Sequence, residues 1–274
     1  MRVTKLEQYG LLQVSGADAR AFLHAQLTND VEHLAPGAAC YAGWCSAKGR
    51  LLATFLVVPC AGGFLLQLSR DLVPAVAKRL SMYVLRSKVK IADATGEWLQ
   101  YGLWEVLPGG DLSVRQAEDR IEVAIDANRT LLLTKTPQSA DTAAEDWALD
   151  EIRAGRPMVV QATQDQFVPQ MVNFELSGGV DFKKGCYPGQ EVVARAQYRG
   201  AVKRRMYHLR GAALQPGQEL YSDDTPGQAS GTVVNAVGDE SLAVLQLSAV
   251  EGRSPIRVQP QASALEILPL PYSQ

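Results

Sequence analysis

Three features of the sequence predict an α+β fold. Between residues 6 and 135, short runs of alternating apolar and polar residues recur as strand candidates. Amphipathic, helix-length segments are interspersed among them, and from residue 201 short apolar runs alternate with Gly-, Asp- and Pro-rich turns. An antiparallel sheet with a helix across it accounts for the first two features. Short strands at turn-punctuated spacing predict a small C-terminal β-barrel for the third. At 274 residues the chain can bury a sizeable core and is long enough for more than one domain.

In chain order, residues 6–14 alternate as a strand that contains Tyr9. Ser15-Gly16-Ala17-Asp18 supplies a turn and a helix cap, and residues 19–27 form an amphipathic helix whose Phe22, Leu23 and Leu27 are apolar. Residues 41–45 and 51–58 read as strands on either side of the turn at 46–50, and residues 64–68 complete a hairpin. A helix is expected over 72–85, a strand over 86–91, and further strands over 99–106, 121–125 and 130–135. The polar, Pro-containing stretch 136–141 is a connection. Residues 143–154, with Trp147, Leu149 and Ile152, form a helix that stops at Gly155 and Pro157. In the last segment, strands are expected at 206–209, 219–221, 229–237, 242–247, 256–258 and 265–268.

Composition narrows the function classes. A net charge of −2 provides no global basic field, so no direct nucleic-acid binding is expected. The most apolar window, 51–68, is broken by Thr54, Pro59 and Gly62-Gly63; it reads as a buried hairpin, and no membrane association is expected. Residues 1–13 lack the basic-then-apolar pattern of a signal peptide, which makes a reducing cytoplasm the expected compartment. Four cysteines, at 40, 45, 60 and 186, form no disulfide framework. Cys40, Cys45 and Cys60 lie on apolar strands at spacings unlike compact zinc sites, so they read as core residues and no metal site is expected. His24 reads as a helix-surface residue. No P-loop, dinucleotide fingerprint or serine triad is present.

The stretch from Asp181 to Glu191 combines more specialised residues than any other: Lys183, Lys184, Gly185, Cys186, Tyr187, Pro188, Gly189, Gln190 and Glu191. Pro188-Gly189 has the chemistry of a type II turn, since Pro presets φ at the first central position and Gly accepts φ > 0 at the second. A short helix is expected over 191–199, with Glu191 in its first turn and Arg195 four residues on, the favourable order for an ion pair. Cys186 thus lies just before a helix start with two lysines upstream, features that favour a thiolate. The basic cluster of Lys183, Lys184, Arg195, Arg199, Lys203, Arg204 and Arg205 is consistent with a solvated face, an anion site or a weak RNA surface.

Lys184-Gly185-Cys186-Tyr187-x-Gly189-Gln190-Glu191 resembles the signature of the YgfZ family of folate-binding proteins, relatives of the glycine cleavage aminomethyltransferase (T-protein). The segment 16–31, the approach through Pro169-Gln170 and Gly178-Gly179 to Phe182, and the tail from Leu268 to Tyr272 are similar as well, so the resemblance spans almost the whole chain. It implies a T-protein-like arrangement of two α+β lobes and a C-terminal β-barrel around a central folate-binding opening. Residues 1–39 and 140–200 would form a discontinuous first lobe, 40–139 an inserted second lobe and 201–274 the barrel.

The same resemblance implies functional residues. Tyr9, where the family commonly has Trp, and Trp147 would contact a flat pterin, with Gln190, Glu191 and Arg195 as further cofactor-binding residues. Cys186 would be a reactive thiol and Lys184 would favour its thiolate. The cofactor would be tetrahydrofolate or a derivative, and Cys186 would either hold a sulfur, iron or iron–sulfur species transiently or form a mixed disulfide with a partner. The implied function is assembly or repair of iron–sulfur clusters in client enzymes, including tRNA-modifying radical enzymes. The catalytic aspartate of T-proteins has no counterpart, since Ala53 and Thr54 occupy the candidate positions. General-base work needs an ionisable group there, and its absence argues against aminomethyl transfer. Two other readings stay open: a folate-dependent one-carbon transferase, and an interaction protein in which Cys186 is structural.

Overall fold

A computed structural model describes residues 2–200 and 202–273; Met1, Ala201 and Gln274, which bound the expected segments, lie outside the described residues. In chain order the chain forms β1 (Val3–Lys5), β2 (Tyr9–Ser15), α1 (Ala19–Gln26), β3 (Cys40–Cys45), β4 (Leu51–Cys60), β5 (Gly63–Ser69), α2 (Val73–Ser81), β6 (Lys90–Asp93), β7 (Leu99–Leu103), β8 (Val114–Ala117), β9 (Arg120–Asp126), β10 (Arg129–Thr134), α3 (Ala144–Arg153) and α4 (Gln190–Tyr198). There follow β11 (Arg204–Arg210), β12 (Glu219–Ser222), β13 (Ala229–Val237), β14 (Glu240–Gln246), α5 (Leu247–Glu251), β15 (Ile256–Arg257) and β16 (Glu266–Leu268). The fold is α+β and mostly sheet, as the alternation of apolar residues predicts.

The strands make three sheets, ordered β3-β4-β5-β2-β6, β1-β7-β10-β9-β8 and β15-β12-β13-β14-β11-β16, with every ladder antiparallel. The strand expected over 6–14 is β2, which starts only at Tyr9 and pairs with β5 and β6; ahead of it β1, which was not expected, pairs with β7 in a different sheet. Leu6, buried between them, donates its N–H to Gln100 O at 2.9 Å as the chain crosses over. Periodicity reports which face of a strand is buried and carries no information about its partner. The ladders therefore run across residue 40, joining β2 to strands on its C-terminal side.

Three further expectations are corrected. The helix expected over 72–85 is a 3-10 turn at 70–72 followed by α2, which ends at Ser81; Leu85 then takes a left-handed φ of 46°, which no helix continues through. The strand expected over 86–91 starts later, because its register against β2 pairs Lys90 with Ser15 and Asp93 with Leu12. The C-terminal barrel is a half-barrel: one six-stranded sheet whose edge strands, β15 and β16, are two and three residues long. One backbone bond bridges the edges, Leu265 N to Ile256 O at 2.8 Å, and strands this short support no closing ladder.

The turn that carries the Lys-Gly-Cys stretch forms as the sequence predicts. Gly189 has φ 79° and ψ 3°, the values for the second central residue of a type II turn, and Gln190 N donates to Tyr187 O at 3.2 Å across it. This turn packs against the β3–β4 turn, where Gly49 also has positive φ, 69°. A Cβ on Gly189 would lie 2.4 Å from Ser46 O and 2.7 Å from Gly49 Cα. Two glycines thus let two backbones touch and set α4 against the end of the β3–β4 hairpin. Gly189→Ala combines φ strain with a backbone clash and is expected to lower stability by about 1–3 kcal/mol in urea titration. Gly185→Ala, whose nearest neighbour is His24 Nε2 at 3.5 Å, should stay within about 0.5 kcal/mol of the wild type.

Candidate functional site

The three sheets and α3 meet around a cavity of about 260 Å³. Its wall takes Gln8 and Tyr9 from the start of β2, Thr54 to Leu56 from β4, Gln67 and Leu68 from β5, Ile125 from β9, Trp147 and Glu151 from α3, and Asn235 to Val237 from β13. Tyr41, Arg156, Met158 and Phe174 complete much of the remainder. Tyr9 and Trp147, far apart in sequence, therefore share one cavity. Trp147 reaches it because β7 has no side chain beneath the indole: a Cβ on Gly102 would lie 2.2 Å from Trp147 Cε3. Trp104 packs edge-on at 5.7 Å between ring centroids, and the Arg129 guanidinium lies 4.8 Å from the Trp147 centroid.

Beneath the aromatic wall lies a quartet of two arginines and two carboxylates. Arg129 donates from Nη2 to Asp126 at 2.7 Å, and Arg156 donates to the same Asp126 oxygen at 2.8 Å and to Glu151 at 2.7 Å. Arg129 Nη1 sits 2.8 Å from Glu151 Oε1, an ion pair whose angle falls outside hydrogen-bond geometry. Two positive and two negative charges cancel, which is what allows Arg129 to be buried, with only 4% of its side chain exposed. Burial pushes the Asp126 carboxyl up, but the hydrogen bonds from Arg129 and Arg156 outweigh it and hold the group down at about 2. Burial and the nearby Glu151 push the Tyr9 phenol up, so it stays neutral through the physiological range. Thr54, on the strand where a T-protein-like acid would stand, is on the cavity wall, and its Oγ1 accepts from Val159 N at 3.1 Å.

Sequence reasoning did not find Gln8, Tyr41, Glu151 or Arg156. The four-residue spacing of Trp147 and Glu151 on α3, which places both on one helix face, was a usable signal for Glu151. Gln8 and Arg156 offered none, because chain folding alone brings them to the cavity.

The Lys-Gly-Cys loop lies elsewhere, at the C-terminal end of α1. Thr28 Oγ1 donates to Gly179 O at 2.6 Å, Asp181 N donates to Thr28 O at 3.0 Å, and Asn29 Nδ2 donates to Gly178 O at 2.7 Å, so the approach to the loop is fastened to the residues that follow α1. Lys184 is buried and its Nζ donates to the carbonyls of His24 and Leu27, the latter at 2.7 Å, which places a cation on the negative end of α1. Burial pushes this ammonium down to about 8, against the pull of Asp30, Asp181 and Cys186. Cys186 is exposed, whereas Cys40 and Cys45 are buried and burial pushes both thiols up to about 12; half-buried Cys60 is pushed up to about 11. His24 is more enclosed than a helix-surface residue, with Nδ1 3.1 Å from Asp30.

The structure does not bring Gln190, Glu191 and Arg195 onto the cavity wall with Tyr9 and Trp147. They stand on α4, whose start is held by the β3–β4 turn, and Glu191 and Arg195 pair with each other at 2.7 Å on an exposed face. The basic cluster is likewise divided: Lys184 is buried against α1 and Arg205 is ion-paired with Glu175.

Three outcomes are expected. Lys184→Met leaves two helix-end carbonyls without their donor and should lower stability by about 1–3 kcal/mol in urea titration. Brief alkylation followed by mass mapping should label Cys186 first, Cys60 later, and Cys40 and Cys45 only on unfolding. Asp126 has a folded value of about 2, below the ordinary 3.8, so its contribution to stability is full above about 4 and is lost as the pH falls toward 2. Denaturant midpoints measured between pH 5 and 2 should therefore fall less steeply in Asp126→Asn, from a lower starting value.

No family model matches the chain. It is 31% identical over 307 residues to the tRNA-modifying protein YgfZ of Photorhabdus laumondii, covering 100% of this chain and 93% of that one. It is 32% identical over 306 residues to the tRNA-modifying protein YgfZ of Klebsiella pneumoniae, covering 98% and 92%. Among solved structures it is similar to the glycine cleavage system aminomethyltransferase T of Bartonella henselae, with a TM-score of 0.77 over 98% of this chain and 85% of that one, at 14% identity. The last likeness is one of fold and confirms the T-protein-like chain trace that the Lys-Gly-Cys signature implies. With identity above 30% sustained over nearly the full length of both chains, the protein belongs to the YgfZ family.

Proposed function

We propose that this protein binds a reduced folate, with the pterin in the cavity at Tyr9 and Trp147, and serves as a folate-dependent accessory factor in tRNA modification. The observation that carries this reading is the convergence of Tyr9 and Trp147, from β2 and α3, on one cavity. The residues present suit a pterin. Aromatic faces from Tyr9, Tyr41 and Trp147 match a flat heterocycle, and polar groups from Gln8 and Glu151 stand among them for its edge. A volume of about 260 Å³ is near the lower end of ligand pockets, about 300–1,000 Å³, and suits the bicycle with the rest of the folate extending outward. The names of the relatives support the link to tRNA modification.

In this reading the step supported is assembly or repair of iron–sulfur clusters in cytoplasmic client enzymes, among them radical enzymes that modify tRNA. Cys186, exposed on its loop, is the thiol that ligates a transient iron–sulfur species, and Lys184 holds the loop to α1 and brings a positive charge near it. A single thiol cannot complete a four-cysteine cluster site, so the client or small thiols supply the remaining ligands. Aminomethyl transfer is not part of this function. Thr54 offers no ionisable group, and Glu151, the carboxylate on the wall, is committed to Arg129 and Arg156.

Calorimetry with tetrahydrofolate tests the binding site: Trp147→Ala should weaken affinity by about 1–3 kcal/mol, a range typical of base–aromatic stacking, and unchanged affinity in the folded variant would sink the placement. Cys186→Ser should leave that affinity unchanged while abolishing the activity of client iron–sulfur enzymes in cells; full client activity would make the cysteine structural. Purified protein given an aminomethyl donor and tetrahydrofolate should show only background turnover.

A further inference from the structure

Three side-chain carboxamides stand on the cavity wall: Gln8, Gln67 and Asn235. Two are occupied by the protein itself. Asn235 donates to Met158 O and accepts from Met158 N, both at 2.9 Å, so its amide faces a backbone segment as one strand faces another. Gln67 donates to Gln100 Oε1 at 2.8 Å, and Gln100 donates to the Tyr9 carbonyl at 3.0 Å. Gln8 differs. Its Oε1 and Nε2 are both shut off from bulk solvent and neither has a hydrogen-bond partner in the protein. Buried polar atoms are nearly always paired, because leaving one unmade forfeits the hydration it had in the unfolded chain. At Gln8 both halves of one planar group are left over, beside the cavity and next to the aromatic Tyr9.

We propose that Gln8 is a specificity-determining contact that reads the lactam edge of the bound heterocycle, an inference that rests on the folate reading above. A carboxamide presents a donor and an acceptor side by side in one plane. The 4-oxopteridine ring presents the complement, a carbonyl oxygen beside the N3–H. Nε2 of Gln8 donates to the carbonyl and Oε1 accepts from N3–H, giving two parallel hydrogen bonds in the plane set by the aromatic walls. The other polar groups of the wall are less suited to this edge. Glu151 is an acceptor already engaged by two arginines, and Thr54 Oγ1 accepts from Val159. A site built around such a pair discriminates strongly against a ligand that cannot form it, because the protein amide is then left unpaired again.

The test is a cycle of two ligands and two proteins, read by calorimetry. Tetrahydrofolate and its N3-methyl analogue are titrated into the wild type and into Gln8→Met, which keeps the length of the side chain and removes the amide. The wild type should bind the parent at least about tenfold more tightly than the N3-methyl ligand, and Gln8→Met should bind the parent about tenfold more weakly than the wild type does. In Gln8→Met the preference between the two ligands should shrink to about twofold or less, the mark of a direct coupling. Gln8→Met should melt at or above the wild-type temperature, since it removes an unsatisfied amide. Should it not fold, Gln8→Glu, which keeps an acceptor and loses the donor, takes its place in the same cycle. Equal discrimination by both proteins, or parent affinity unchanged by the substitution, overturns the role of Gln8 and leaves the folate reading standing. Failure of the wild type to bind tetrahydrofolate overturns the folate reading and this inference with it.

Discussion

The quartet of buried Arg129 with half-buried Asp126, Arg156 and Glu151 is the interaction on which the cavity depends. Asp126 and Arg129 flank the β9–β10 turn, Glu151 is on α3 and Arg156 lies just beyond it, so the four charges tie the second sheet to the helix that carries Trp147. Removing one member would strand a charge in a poorly solvated interior, which costs far more than the intact set contributes. The guanidinium of Arg129 also lies against the Trp147 ring, so the same charge that closes the quartet holds the indole in place. Gly102 supplies the space that the ring occupies against β7.

The Lys-Gly-Cys loop is held by different physics. Lys184 satisfies the end of α1, the segment 178–181 bonds to Thr28 and Asn29, and the Pro188-Gly189 turn meets the Gly49 turn backbone to backbone. Each of these contacts joins parts of the chain distant in sequence, and together they leave Cys186 exposed on a firmly anchored loop. Phe174 connects the loop to the cavity. Its ring is on the cavity wall and packs so closely on Gly179 that a Cβ there would lie 2.4 Å away. The cavity and the loop approach thus bear on the same side chain.

Much of the local structure was legible in the sequence. The helices at α1 and α3, the β4–β5 hairpin and the C-terminal strands follow from apolar spacing and turn residues, and the type II turn at Pro188-Gly189 follows from its chemistry. β8 was missed because its residues, Val-Arg-Gln-Ala, are half-buried or exposed and show no alternation. The end of α2 was misplaced because Leu85 is apolar yet exposed, in a left-handed turn that apolar spacing does not signal. Of the site, Tyr9, Trp147, Lys184 and Cys186 were named from the Lys-Gly-Cys signature and the resemblance around it. Gln8 and Arg156 were not, because nothing in the local sequence distinguishes them from surface polar residues; Glu151 was missed although its four-residue spacing from Trp147 puts both on one face of α3.

By itself the sequence determined most of the strands and helices, the faces they bury and the turns they need, since these depend on neighbours one to four residues apart. Only the tertiary structure decided that β1 and β2 belong to different sheets, that Lys184 caps α1, and that Gln190, Glu191 and Arg195 stand away from the cavity that unites Tyr9 with Trp147. These outcomes rest on pairings between distant segments. Backbone hydrogen bonds and charge neutralisation select such pairings once the chain is folded, and they leave no periodic trace along it.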